Sequence, residues 1–456
     1  MKGHFEWMWV WWGLTVAICS WKIVEAFVRP ARMLEWPFLA CAMWVYFYGY
    51  MAYQAKLTLS AYLGNGMADI GQLMALLCLI ALLAGWSMGR RTRITRKPPQ
   101  IVYNYFHFWL AGYFFLLVGA AGGIWMQYEA QIGQVHYEGD GYWYMLFYVG
   151  YPGLAMTVWS VIKMNRAMRH QLLILTLIGL AIFMAPHVIY ARRGPLYPAV
   201  MVLLLVPPMT LRRPPNPLLY GGALVGAAIV MLLFLQVRTV TYNGGSWSQA
   251  IGTLDLNAAI EERGKEADDN EYVNNCQMIA TIYKNGKYDY GTGHLGLLLH
   301  WVPRQVWKDK PGLGGGIYAA DELFDDIERT TGFALLGHTG ASSAGVADSF
   351  LEYGLLAPLF WFLLSWGFGS VYCKAIVVGS PRWMFCYVGI ICASHWLVSQ
   401  SFAAAFVPAM YFQAVPFVSF LLLGHLGAVA RPPVAPRRIG PAAGGGAMTA
   451  ARGARP

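Results

Sequence analysis

Three kinds of side chain in this sequence have the chemistry of a site that holds a phosphate group and moves a proton. Arginine supplies the first. The run Ala191-Arg192-Arg193-Gly194-Pro195 sets two guanidinium groups in a tight hairpin between apolar stretches. A planar guanidinium meets two phosphate oxygens at once. The alternative reading is a pair of arginines that snorkel from the hydrocarbon edge to water. A second group of cations, Arg304, Lys308 and Lys310, stands in Val302-Pro303-Arg304-Gln305-Val306-Trp307-Lys308-Asp309-Lys310-Pro311, with Trp301 just ahead. Tryptophan prefers the headgroup level of a bilayer, so these cations would be held at phosphate depth. Gly312–Gly316 follows, with four glycines that let backbone N–H groups approach a ligand.

The third kind titrates. His338, Asp348 and Glu352 stand at or near the start of an apolar run. Histidine changes charge near neutral pH and suits a general base, with Glu352 and Asp348 as further candidates. Asp348 and Glu352 are four positions apart and share a face if helical. The bland alternative is a capping acid plus one interfacial carboxylate. His300, beside Trp301, could equally be an interfacial structural residue.

The elements that must position these groups are set by composition. The chain is 57% hydrophobic and 12% charged, about half the charged share of a soluble domain. Its apolar residues come in runs long enough to cross a bilayer of about 30 Å. The expected fold is all-α: a polytopic membrane protein of about eleven transmembrane helices with one long extramembrane insert holding short amphipathic helices. About eight spans fall within 1–237, the insert covers 238–348, about three spans fall within 349–427, and 428–456 is a disordered tail rich in Pro, Gly, Ala and Arg.

The net charge of +10 does not indicate nucleic acid, because the basic residues sit in short connections between spans. Lys22, Arg29 and Arg32 form one set. Arg90, Arg91, Arg93, Arg96 and Lys97 form the next, then Lys163, Arg166 and Arg169, then Arg212 and Arg213, then Lys374 and Arg382. Each is an even number of spans from the next, so all share one side, the cytoplasm. This orientation puts the N-terminus and the insert outside and the C-terminus inside. Arg192 and Arg193 then fall outside, where the same rule disfavours them.

Within the insert, Tyr272, Cys276, Ile279 and Tyr283 recur at helical spacing and predict a small helix with one apolar face. Glu261, Glu262, Glu266, Asp268, Asp269 and Glu271 read as a solvated loop or helix end. Gly291–Trp301 reads as a helix on the outer interface. Cys276 is the one cysteine of the insert; the other six lie in apolar spans, and no Cys/His spacing indicates zinc.

The order of these features resembles the bacterial oligosaccharide repeat-unit polymerases of the O-antigen polymerase type. The residues carrying the resemblance are Ala191–Pro195, Tyr288–Gly293, Val302–Pro311 and Phe350-Leu351-Glu352-Tyr353-Gly354. It implies a glycosyltransferase of the bacterial inner membrane, working at the periplasmic face on oligosaccharide units carried by undecaprenyl diphosphate. It implies no cofactor and no metal, and it offers a chain-length regulator and a flippase as partners beside the membrane lipid. Arg192, Arg193, Arg304, Lys308 and Lys310 would hold the diphosphate. Tyr288, Tyr290 and Trp307 would stack on sugars, although bilayer anchoring explains such aromatics equally well. Two other readings stay open. An O-antigen ligase shares the cationic outer loops. A flippase or transporter for lipid-linked sugars would show internal repeats and ionisable residues at the bilayer midplane.

Overall fold

The computed structural model describes residues 4–55, 66–92, 103–131, 146–189, 194–242, 247–252, 254, 270–299, 320–331 and 344–424. Among these the regular structure is helical, with no strand. In chain order the helices are α1 His4–Val28, α2 Trp36–Trp44, α3 Met51–Gln54, α4 Met67–Gly89, α5 Tyr105–Gln131, α6 Gly150–Lys163, α7 Arg166–Ile189, α8 Leu196–Leu211 and α9 Pro217–Tyr242. The expected insert holds α10 Trp247–Gly252, α11 Glu271–Asn285, α12 Thr292–Leu298 and α13 Ala320–Thr331. Then come α14 Ala344–Tyr353, α15 Ala357–Cys373, α16 Pro381–Ser399 and α17 Phe402–Gly424.

Six stretches among the described residues are long and apolar enough to cross a membrane: Trp7–Val28, Met67–Gly89, Tyr105–Met126, Arg166–Ile189, Ala344–Val378 and Phe402–Leu423. The remaining apolar runs behind the expectation of about eleven spans also form helices, of a different kind. The run 36–54 is divided by a wide π-type turn at Val45–Tyr50. Helix α6 has 14 residues. Helix α8 has 16 and carries Pro207 and Pro208 inside it. Helix α16 carries Arg382, Trp383, His395 and Trp396, which dilute its hydropathy. Helix α9 continues to Tyr242, past the expected start of the insert at 238.

Helices approach closely where glycine lets them. An added Cβ at Gly85 or Gly89 of α4 would run into the backbone carbonyls of Phe362 and Trp366 on α15. Small residues at such a crossing bring backbones together and gain van der Waals contact. The core between helices is aromatic, and two of its buried indoles reach hydrogen-bond acceptors. Trp44 Nε1 donates to the Ala75 carbonyl at 3.2 Å, and Trp361 Nε1 donates to Ser349 Oγ at 3.0 Å. Buried indoles need such partners.

The two ends of the bundle differ. One end gathers Glu35 with Arg90 at 2.7 Å, Thr92 with Ser370 at 3.0 Å, and Arg212 against Gly379. The other end gathers α11, α12 and α14. Helix α11 was expected to lie on the bundle with polar residues outward. Instead it is inserted: Asn274, Asn275, Gln277 and Thr281 are as buried as Val273 and Ile279. Asn275 Oδ1 accepts the Ala347 N–H at 3.0 Å, and the Asn270 amide donates to the Met51 carbonyl at 3.0 Å. Asn270 also caps the helix by accepting the Tyr272 N–H. Cys276 of this helix packs so tightly on Gly71 of α4 that no side chain would fit at residue 71.

Candidate functional site

The site is assembled where the turn before α12 meets the C-terminal half of α14. Tyr290 takes a left-handed conformation, φ 51°, and Gly291 follows at φ 82°. This reversal lets the turn pair with the helix backbone: the Asp289 N–H donates to the Leu351 carbonyl at 2.9 Å and the Gly291 N–H to the Glu352 carbonyl at 3.0 Å. Thr292 then closes the turn onto the Asp289 carbonyl through both its N–H and its hydroxyl, at 3.0 and 2.7 Å. The first turn of α12 is thereby locked over α14.

The consequence is a buried histidine in a fixed orientation. His294 is 8% exposed. Its Nε2 lies 3.2 Å from Asp348 Oδ2, and its Nδ1 lies 3.0 Å from the Tyr353 hydroxyl. The same Asp348 oxygen accepts the Phe402 N–H at 2.9 Å, at the start of α17. The imidazole is walled by Phe360 and Phe402, with ring centroids 5.1 and 4.7 Å away. A carboxylate on Nε2 favours the tautomer with its proton there, which leaves Nδ1 to accept from tyrosine. The chain Asp348–His294–Tyr353 therefore joins a carboxylate to a phenol through one imidazole.

Glu352 lies beside this chain and differs from Asp348. It is 3% exposed and accepts the backbone N–H of His294. Its Oε1 fills the space that a Cβ on Gly293 would need. Its Oε2 has no hydrogen-bond partner among the described residues. A buried carboxylate oxygen without a donor is costly and marks a functional candidate.

The two sequence-predicted acids are thus brought together, around a histidine that the sequence had not singled out. Tyr288 and Tyr290 stand on the adjoining turn. Their rings are 6.0 Å apart; Tyr288 packs on Phe350, and Tyr290 is 72% exposed. Arg192, Arg193, Arg304, Trp307, Lys308, Lys310, His300 and His338 lie outside the described residues. Reading Gly291–Trp301 as an interfacial helix hid His294. The available signal is glycine at 291 and 293 just ahead of one histidine, where the side chains of Tyr353 and Glu352 press on the backbone. Charge patterning marks Glu352 and passes over the phenol of Tyr353 beside it.

Nearby, Lys287 bridges Glu322 at 2.6 Å and Asp326 at 2.8 Å, and Arg329 holds Asp326 from the other side at 3.0 Å. Hydrogen bonds from Asp326 and then Glu322 hold the Lys287 ammonium above its ordinary pKa. This cluster ties α13 to the segment leading into the site.

Over 111 residues the chain is 27% identical to the O-antigen polymerase of Salmonella typhimurium strain LT2 and to that of Salmonella typhi. The matched stretch is 24% of this chain and 24% of each relative, so the chain spans about a quarter of the length of the curated relatives it matches. No family model matches the chain, and no solved structure matches it.

Proposed function

We propose that this protein is a multi-pass membrane glycosyltransferase that polymerises oligosaccharide repeat units carried on undecaprenyl diphosphate, at the periplasmic face of a bacterial inner membrane. The observation that carries the reading is the similarity to two O-antigen polymerases. The Asp348–His294–Tyr353 chain supports it, because a transfer to a sugar hydroxyl needs a proton acceptor.

In the reaction, the bond between the reducing-end sugar of the growing glycan and its lipid diphosphate breaks. A hydroxyl of the next lipid-linked unit forms the new glycosidic bond, and undecaprenyl diphosphate leaves with the bonding electrons. The acceptor hydroxyl loses a proton as it attacks. Tyr353, at the accessible edge, takes that proton while passing its own to His294 Nδ1, and Asp348 stabilises the resulting imidazolium. Glu352 is the alternative acceptor through its unpartnered Oε2. His338 remains a proposed contributor from the segment before α14. Arg192, Arg193 and Arg304, with Lys308 and Lys310, would meet the negative charge that develops on the leaving diphosphate. Preorganised cations contribute several kcal/mol to such a step. Tyr290, with Tyr288 and Trp307, would offer faces for sugar rings.

The test is polymer formation by the purified protein in nanodiscs, given a synthetic undecaprenyl-diphosphate oligosaccharide of the correct repeat. Wild type should give a ladder of products. His294→Ala and Tyr353→Phe should lower the rate by about 100-fold, the scale of a lost acid–base group. Arg192→Ala and Arg304→Ala should abolish the ladder while leaving the fold intact. A wild-type protein that gives no ladder from a matched substrate would refute the polymerase reading.

A further inference from the structure

The basic end of the bundle carries a cavity of about 160 Å³ that no step of the proposed reaction uses. Its walls include Tyr103, Trp159 and Lys163 at the end of α6, Thr210 and Arg212 at the end of α8, and Gly379 between α15 and α16. The two cations are placed differently. Lys163 closes α6 as its last residue. Arg212 caps α8 in the left-handed region, φ 53° and ψ 40°, where a side chain larger than hydrogen is uncommon. Its guanidinium lies over Gly379, itself at φ 66°, in the space a Cβ there would occupy. Two left-handed residues thus set one cation at the rim. Backbone strain of this kind persists where the surroundings over-determine it, and it clusters at ligand sites.

The charge of this cavity has no internal answer. The sequence contains no aspartate or glutamate from residue 70 to 128, from 141 to 254, or from 353 onward, and every wall of the cavity comes from these segments. Among the described residues neither the Lys163 nor the Arg212 side chain forms an ion pair. A larger cavity of about 290 Å³ at the same end shows the contrast. There Glu25 takes both Lys22 and Arg32, and Glu35 takes Arg90. In that cavity two carboxylates pair with Lys22, Arg32 and Arg90, with Arg91 as a fourth cation; the smaller one is lined by no carboxylate at all. Trp159, 4% exposed, gives the smaller one an apolar wall, where a charge is felt more strongly than in water.

We infer that this cavity binds a phosphoryl group between Lys163 and Arg212, supplied by an anionic phospholipid headgroup or by free inorganic phosphate. It lies beside the ends of the membrane-length stretches Tyr105–Met126 and Ala344–Val378, where headgroups would sit, and basic pockets between such helices take phospholipid headgroups. The guanidinium offers two parallel donors and the ammonium a point charge. The inference stands on the helical bundle and does not depend on the glycan reading.

The experiment uses the full-length protein, delipidated in detergent. Dioctanoyl phosphatidylglycerol is titrated by native mass spectrometry, and inorganic phosphate is titrated by thermal shift. Lys163→Gln/Arg212→Gln should weaken binding about tenfold. Gly379→Ala, which displaces the guanidinium without removing charge, should weaken it too. Lys22→Gln in the larger cavity should leave it unchanged. A response confined to the lipid assigns the headgroup as ligand; a matching response to phosphate with the same variant sensitivity assigns the free anion. Both ligands binding the double variant as well as wild type overturns the proposal. If the double variant does not fold, Arg212→Lys and Lys163→Gln carry the test singly, and unchanged affinity in both overturns it.

Discussion

Gly293 is the residue on which the candidate site turns. Glu352 Oε1 occupies the place of its absent side chain, so the first turn of α12 rests directly on a buried carboxylate. Gly293→Ala should push that turn away from α14, lengthen the His294–Asp348 contact and lower stability by about 1–3 kcal/mol, the usual cost of overpacking. Thermal unfolding reads the loss. Adding Glu352→Asp, one methylene shorter, should recover part of it, because the two residues compete for one space. Strict additivity in that double-mutant cycle would show that they do not. Of this residue-scale picture, Asp348 and Glu352 were legible in the sequence, because ionisable groups at the start of an apolar run stand out. His294 was not, because its partners lie 54 and 59 positions away. Nothing local in Gly291–Trp301 announces a contact at that range.

Among the elements, α4 and α15 show what holds the bundle together. Their backbones touch at Gly85 and Gly89, so any side chain there must separate them. Gly85→Val should lower the melting temperature clearly, with a cost of about 1–3 kcal/mol or more. Gly222→Val on α9, where an added Cβ meets nothing within 4 Å, should leave it nearly unchanged. Equal effects of the two would mean that the close crossing is not what stabilises the pair. Apolar run length read the existence of most of these helices correctly. It could not read α11, whose composition is that of a surface helix. Asn274, Asn275, Gln277 and Thr281 are buried because other helices close over them, and their polarity disguised the burial. The wide turn at 45–50 was equally hidden, since a π-type closure leaves the hydropathy of the run untouched.

For the whole molecule, the basic connections predict that the end carrying Arg90 and Arg212 faces the cytoplasm and that the end carrying His294 faces outside. The compartments facing these ends follow from the positive-inside rule and can be checked directly. Tyr290→Cys should react with a membrane-impermeant maleimide in intact spheroplasts, and Arg213→Cys should react only after lysis. The reverse pattern would place the candidate site in the cytoplasm and remove the periplasmic polymerase reading. The composition carried this scale best: apolar runs, acid-poor bundle segments and clustered cations are all one-dimensional signals. Which helices lie side by side is not one-dimensional, and no pattern in the sequence announced that α4 pairs with α15 across more than 260 intervening positions.

The wide turn at Val45–Tyr50 has a consequence for how such chains can vary over time. A turn closed from residue i to i+5 takes up one residue more than a regular α-helical turn. Its irregular backbone is used: the Gly49 carbonyl accepts Trp12 Nε1 at 2.9 Å, and the Tyr48 carbonyl accepts the Gln72 amide at 3.3 Å. Losing one residue between 45 and 50 would return the segment to regular helix while keeping the faces of 36–44 and 51–54 in register. Losing one residue at Cys41 would rotate one half against the other. The turn is therefore a joint at which related chains can differ in length by one residue and still present the same surfaces to their neighbours.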